Sequence, residues 1–100
     1  MLEAPALARI EQEYRSDGLK VIAVNVFPQI PLQKWERYFR QFSGDSGIIL
    51  AQDTRREAII TLNVRTAGAT VILDKQGRIV FRDPLASTYK VLKDAVEKAL

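Results

Sequence analysis

"EAPALARIEQEYRSDGLKVIAVNV", residues 3–26, is the stretch on which the reading of this chain turns. With Leu2 just ahead of it, Ala6, Leu7, Ile10 and Tyr14 recur at three- and four-residue steps, the spacing of an amphipathic helix. Pro5 is compatible with that helix because it falls in the first turn, where a missing N–H costs no hydrogen bond. Asp17-Gly18 stops it, and residues 19–26 (LKVIAVNV) follow at once. That run is almost continuously apolar and rich in β-branched residues, which predicts a strand covered on both faces within a parallel, helix-flanked sheet.

Working outward, "FPQIP" (27–31) interrupts the pattern, and Leu32, Trp35, Phe39 and Phe42 mark a second helix. An aromatic stripe at this spacing is read as core. Residues 43–47 form a loop and 48–51 a short strand, and Asp53 or Thr54 caps a short helix running to about Leu62. Residues 69–73 and 78–82 flank "DKQG", where Asp74 opens a tight turn and Gly77 closes it, giving an antiparallel hairpin. Ser87 or Thr88 caps a last helix whose apolar face is Tyr89, Leu92, Ala95, Val96 and Ala99. Alternating strands and helices followed by an antiparallel pair predict one α/β domain over residues 1–100: a three-layer α/β/α sandwich with a mixed sheet, closed by a hairpin and a helix.

Composition limits the chemistry. The chain has 100 residues, 47% hydrophobic and 27% charged, in the range of a globular domain. Six basic and six acidic residues lie in positions 1–50, nine and six in 51–100. The net charge of +3 is thus spread among acids, giving a mixed-charge surface and no nucleic-acid-binding face. No apolar run approaches the length that spans a bilayer, and no signal-peptide pattern is present. Cysteine and histidine are both absent. This sequence therefore contains no thiolate nucleophile, no thiol redox couple, no imidazole base and no nitrogen or sulfur metal site. Asp45, Asp53, Asp74 and Asp83 read as loop, cap and turn residues and match no metal-ligand pattern. Arg55, Arg56, Arg65 and Arg82 are expected to form weak exposed pairs with Glu57 and Asp83, and Lys75 and Arg78 to flank the exposed turn. No cofactor is expected.

Three segments together resemble the TlpA-like, redoxin-related branch of the thioredoxin superfamily of thiol–disulfide oxidoreductases. Residues 3–26 are similar to that family's "E-x-P-x-L" helix and "G-L-x-V-I-x-V-N-V" strand. Residues 50–64 (LAQDTRREAIITLNV) are similar to its aspartate, short helix and "Y-x-V". Residues 69–83 (ATVILDKQGRIVFRD) are similar to its "T-T-F-L-I-D-x-x-G-x-I-V" hairpin. The resemblance implies a thioredoxin-like fold and a W-C-x-x-C segment whose second cysteine would fall one position ahead of Met1. On this reading the chain is an N-terminally truncated thioredoxin-like domain, redox-inactive because it has no cysteine. Relatives often act outside the cytoplasm, but nothing in this sequence assigns a compartment. The cis-proline slot of the family falls on Gly68, where a cis peptide would cost about 2.5–4 kcal/mol against about 0.5–1 for X-Pro, so a trans bond is expected. Ala67, Gly68 and Ala69 are the candidate substrate-groove residues.

In the family's sheet the strand ahead of residue 3 would lie between the counterparts of 19–26 and 69–73. Its absence would cost about 5–10 kcal/mol in lost ladder bonds and buried aliphatic side chains, comparable to the whole net stability of a small domain. The expectation is therefore repair: the flanking strands close up, or a homodimer or strand-exchanged oligomer forms. The homodimer is favoured. The alternative function is a non-catalytic interaction module that captures an extended peptide at exposed sheet edges.

Overall fold

The computed structural model describes residues 3–44, 46–64 and 68–100. Helix α1 spans Ala4–Tyr14 with Pro5 in its first turn. It tightens into a 3-10 turn over Arg15–Asp17, and Gly18 at φ 92° reverses the chain. There the Leu19 N–H donates to the Tyr14 carbonyl at 3.2 Å, a helix stop that a left-handed glycine makes inexpensive. Strand β1 (Ile22–Asn25), helix α2 (Leu32–Ser43) and strand β2 (Ile49–Gln52) follow. Then come the short helix α3 (Glu57–Thr61), the hairpin β3 (Thr70–Leu73) and β4 (Ile79–Asp83), and helix α4 (Tyr89–Ala99). The α/β class and the order of elements agree with the sequence reading.

Capping follows the sequence in part: α3 starts at Glu57 with Arg56, and not Asp53 or Thr54, in the cap position. Both carboxylate oxygens of Asp53 accept N–H bonds, from Ala58 and Ile59, each at 3.1 Å. Asp53 thus holds the start of α3 across an intervening turn. Asp74 Oδ1 accepts from the Gln76 and Arg78 amides, and Gly77 turns at φ 82°. Thr88 caps α4, its hydroxyl accepting the Val91 N–H.

The strands form two separate pairs. β1 and β2 are parallel, in register from Ile22 opposite Ile49 to Asn25 opposite Gln52. β3 and β4 are antiparallel, from Thr70 opposite Asp83 to Leu73 opposite Ile79, with an irregularity at Ile72–Leu73. Among the described residues no ladder joins β1 to β3. The flanking strands have not closed up, and the expected mixed sheet is divided into a parallel and an antiparallel half.

Each half has its own core. Ala4, Ala8, Trp35, Phe39 and Ile48 form one, with Val21, Ala23 and Leu50 packed against it. Ile10, Ile72, Leu92 and Val96 form the other, joined by Tyr14, Leu19 and Phe81. Helix α1 supplies both, with Leu7 packed against each, so it is the hinge between the half-cores. Trp35 and Phe39 pack with ring centroids 5.2 Å apart. Phe42, placed in that stripe by sequence, is instead exposed beside Tyr38, and Ser43 takes the inward position one step on.

One expectation fails. Val21 and Ala23 face the helices, but Ile22, alternating to the other face, is 58% exposed, and Val24, Ile49 and Leu73 are exposed as well. β1 is covered on one face only. A continuous apolar run shows what burial would stabilise and does not itself supply a cover.

Candidate strand-accepting site

A cavity of about 500 Å³ separates β1 from β3. Every residue from Leu19 to Phe27 lines it, and so does every residue from Ala69 to Leu73. A strand that presented a face would contribute alternate residues; one that presents its edge contributes consecutive ones. Both walls are therefore strand edges. α1 and α4 reach the space through Leu7, Ile10, Leu92 and Val96, and α3 supplies Ala58 and Ile59.

The ladders identify the backbone groups that face the cavity. The Ile49 N–H donates to the Val21 carbonyl at 2.9 Å and the Asp53 N–H to the Asn25 carbonyl at 3.0 Å. Residues 21, 23 and 25 thus point toward β2, and by alternation the N–H and C=O groups of Ile22 and Val24 point toward β3. On the other wall the Asp74 N–H donates to the Arg78 carbonyl at 2.9 Å. Residues 70, 72 and 74 therefore point toward β4, and Val71 and Leu73 point into the cavity. Two rows of backbone donors and acceptors face each other, and no strand of the described residues lies between them.

The volume suits one strand. With strands about 4.8 Å apart, layers about 10 Å apart and a rise of about 3.3 Å, one residue of sheet occupies about 160 Å³. A space of about 500 Å³ is thus on the scale of a short strand segment, and the flanking strands β1 and β3 are four residues long.

Polar clamps hold the rims. Asn25, almost fully buried, donates its amide to the Ile30 carbonyl at 3.0 Å and accepts the Phe27 N–H at 3.1 Å, fixing the chain as it leaves β1. At the start of β3, the Glu3 carboxylate accepts from the Thr70 hydroxyl and from the Ser87 N–H at 3.5 Å. Further off, Glu11, only 3% exposed, accepts from Arg15 at 2.7 and 2.6 Å and from the Gly47 N–H at 2.7 Å. The Arg15 guanidinium, aided by the Gly47 amide, outweighs the cost of burial and holds the Glu11 pKa down at about 2. This cluster anchors α1 to the loop before β2.

Of the candidate groove residues, Ala67 lies outside the described residues, as do Leu2, Asp45 and Arg65. Gly68 is exposed, and a Cβ on it would meet only the Ala86 nitrogen at 3.6 Å, so no close approach requires a glycine there. Ala69 lines the cavity where β3 begins. The carboxylates have structural partners: Asp53 and Asp74 as above, and Asp83 accepting from the Leu85 N–H and the Ser87 hydroxyl. No group of three potential metal ligands occurs among the described residues. The expected pairs of arginines with Glu57 and Asp83 are not formed among the described residues. Arg82 instead donates to the Asn63 carbonyl and Asp83 accepts from Ser87, as neighbours on a strand point to opposite faces. Arg78 pairs with Asp74 at 3.1 Å.

The sequence reading missed Glu3, Glu11 and Asn25. Glu11 and Arg15 were visible as an i,i+4 pair of opposite charge; the Thr70 and Gly47 partners, far along the chain, were not. No helix among the described residues is long and apolar enough to cross a membrane. In comparisons with known proteins, no family model and no curated protein matches the chain.

Proposed function

We propose that this chain is a thioredoxin-like scaffold without sulfur chemistry of its own, which works by accepting an extended β-strand between β1 and β3. The observation that carries the reading is the pair of inward-facing edges, lined residue after residue along both strands. Strand addition is a recurrent mode of recognition in which main-chain hydrogen bonds give affinity and side-chain pockets give selectivity. Here both edges are available, so an occupant gains two ladders instead of one. The likeness of residues 3–26, 50–64 and 69–83 to thiol–disulfide oxidoreductases of the TlpA-like branch supports the scaffold assignment. In that fold a strand belongs between these two neighbours. Disulfide exchange requires a thiolate, and the chain has no cysteine. The protein by itself should leave insulin disulfides unreduced.

The experiment is an amide-resolved titration with extended peptides rich in valine, isoleucine and threonine. Shifts confined to β1, β3 and the helix residues lining the cavity support the reading. An unchanged spectrum at millimolar peptide, or shifts confined to the outer edges of β2 and β4, would refute it.

A second reading, self-association, is favoured by the exposed Ile22, Val24, Ile49 and Leu73 on the open face of the strands. Under it the protein is a homodimer that covers this face or exchanges strands. Sedimentation velocity separates the two: a monomer at tens of micromolar would rule out the homodimer.

A further inference from the structure

The charge distribution around the cavity says which strand it selects. Among the described residues two of those lining it are charged, Glu3 and Lys20, and they lie at opposite ends. Glu3 is bonded to Thr70, where β3 begins. Lys20 shares a second depression with Leu73 and Asp74, where β3 ends. β1 and β3 thus run antiparallel across the gap. An inserted strand is parallel to one and antiparallel to the other, whichever way it enters.

The two ends differ in character. Lys20 has Asp17, Asp74 and Lys75 around the same depression, so that end is balanced. At the other end the Glu3 carboxylate engages Oε1 with Thr70 and Ser87, and Oε2 makes no hydrogen bond with any described residue. Among the described residues no cation lines the cavity there. A carboxylate with a spare acceptor at the rim of an apolar space attracts a positive charge on whatever fills that space.

We infer that the occupant is a strand of another protein, apolar over three or four residues, with a lysine or arginine where it leaves the cavity beside Glu3. The inference rests on the strand-accepting reading above. A second folded copy is a poor donor: Lys20 leading into β1, and Arg78 and Arg82 at and in β4, adjoin or belong to strands already paired in ladders.

The test uses end-blocked ten-residue peptides with a Val-Thr-Val-Ile centre. They carry lysine at the C-terminal end, lysine at the N-terminal end, or glutamate in either place, and are titrated into the labelled protein and into its Glu3→Gln and Lys20→Gln variants. One of the two lysine peptides should bind roughly tenfold more tightly than its glutamate counterpart. The advantage should shrink with added salt, vanish in Glu3→Gln and persist in Lys20→Gln. If Glu3→Gln does not fold, the lysine-to-glutamate ratio and its salt dependence decide the question alone. Equal binding of all four peptides to the Ile22, Val24, Val71 and Leu73 edge would overturn the charge selection and leave strand acceptance standing. No shift at that edge with any peptide would remove both. A dimer whose filled cavity the peptides cannot enter would assign the site to a second copy and overturn the inference.

Discussion

Glu11 is a buried carboxylate held ionised by its neighbours. It is buried, it accepts two bonds from Arg15 and one from the Gly47 N–H, and its pKa is held at about 2 against an ordinary value of 4.5. A carboxyl whose folded pKa is depressed adds stability that is fully present above its unfolded pKa and is lost as the pH falls. Urea midpoints should therefore decline as pH drops from about 4.5 toward about 2, and the decline should be shallower in Glu11→Gln. At neutral pH that substitution should cost about 1–3 kcal/mol, because it weakens charge-assisted bonds at a buried site. Gly47 is tied to the same carboxylate: a Cβ there would lie 2.8 Å from Glu11 Oε2. Gly47→Ala should cost about 1–3 kcal/mol and less in a Glu11→Ala background, a non-additivity that a double-mutant cycle measures. The i,i+4 half of this cluster was legible in the sequence. The Gly47 half was not, because only the packing of α1 on the loop before β2 brings residues 36 apart together.

At the scale of elements, local chemistry was readable and coverage was not. The Gly18 stop, the Asp74–Gly77 turn and the Thr88 cap sit where backbone conformation and capping preference put them. Gly77→Ala should cost about 1 kcal/mol for its left-handed φ, and Thr88→Ala about 0.5–2 kcal/mol for the lost cap, both read from thermal unfolding. Periodicity likewise placed Ile10, Trp35, Phe39 and Leu92 in the core. It could not tell Ile10 from Ile22, which lie in equally apolar stretches but are buried and 58% exposed. Ile10→Ala should cost about 2–5 kcal/mol, since it fills the half-core between α1 and α4. Ile22→Ala should change stability by no more than about 0.5 kcal/mol. Equal effects would mean that β1 has its second face covered in solution.

The whole molecule has a radius of gyration of 13.0 Å, the value expected for a compact chain of this length. The gap therefore lies inside a folded body and does not arise from an expanded one. Two half-cores share α1, and each strand pair has its inner edge open toward the other. The two β-prone runs read from the sequence, residues 19–26 and 69–73, lie on either side of the opening. What the sequence could not show is that the two pairs stay apart, because that depends on α1 and α4 holding Leu7, Ile10, Leu92 and Val96 around the space. The most direct test of this architecture is amide hydrogen exchange at a concentration where the protein sediments as a monomer. Ala23 and Asn25, bonded toward β2, and Ile72, bonded toward β4, should be protected, while Ile22, Val24, Val71 and Leu73 exchange at rates close to those of loops. Protection of those four amides in the monomer, with cross-strand proton contacts between β1 and β3, would show a closed sheet and contradict the account.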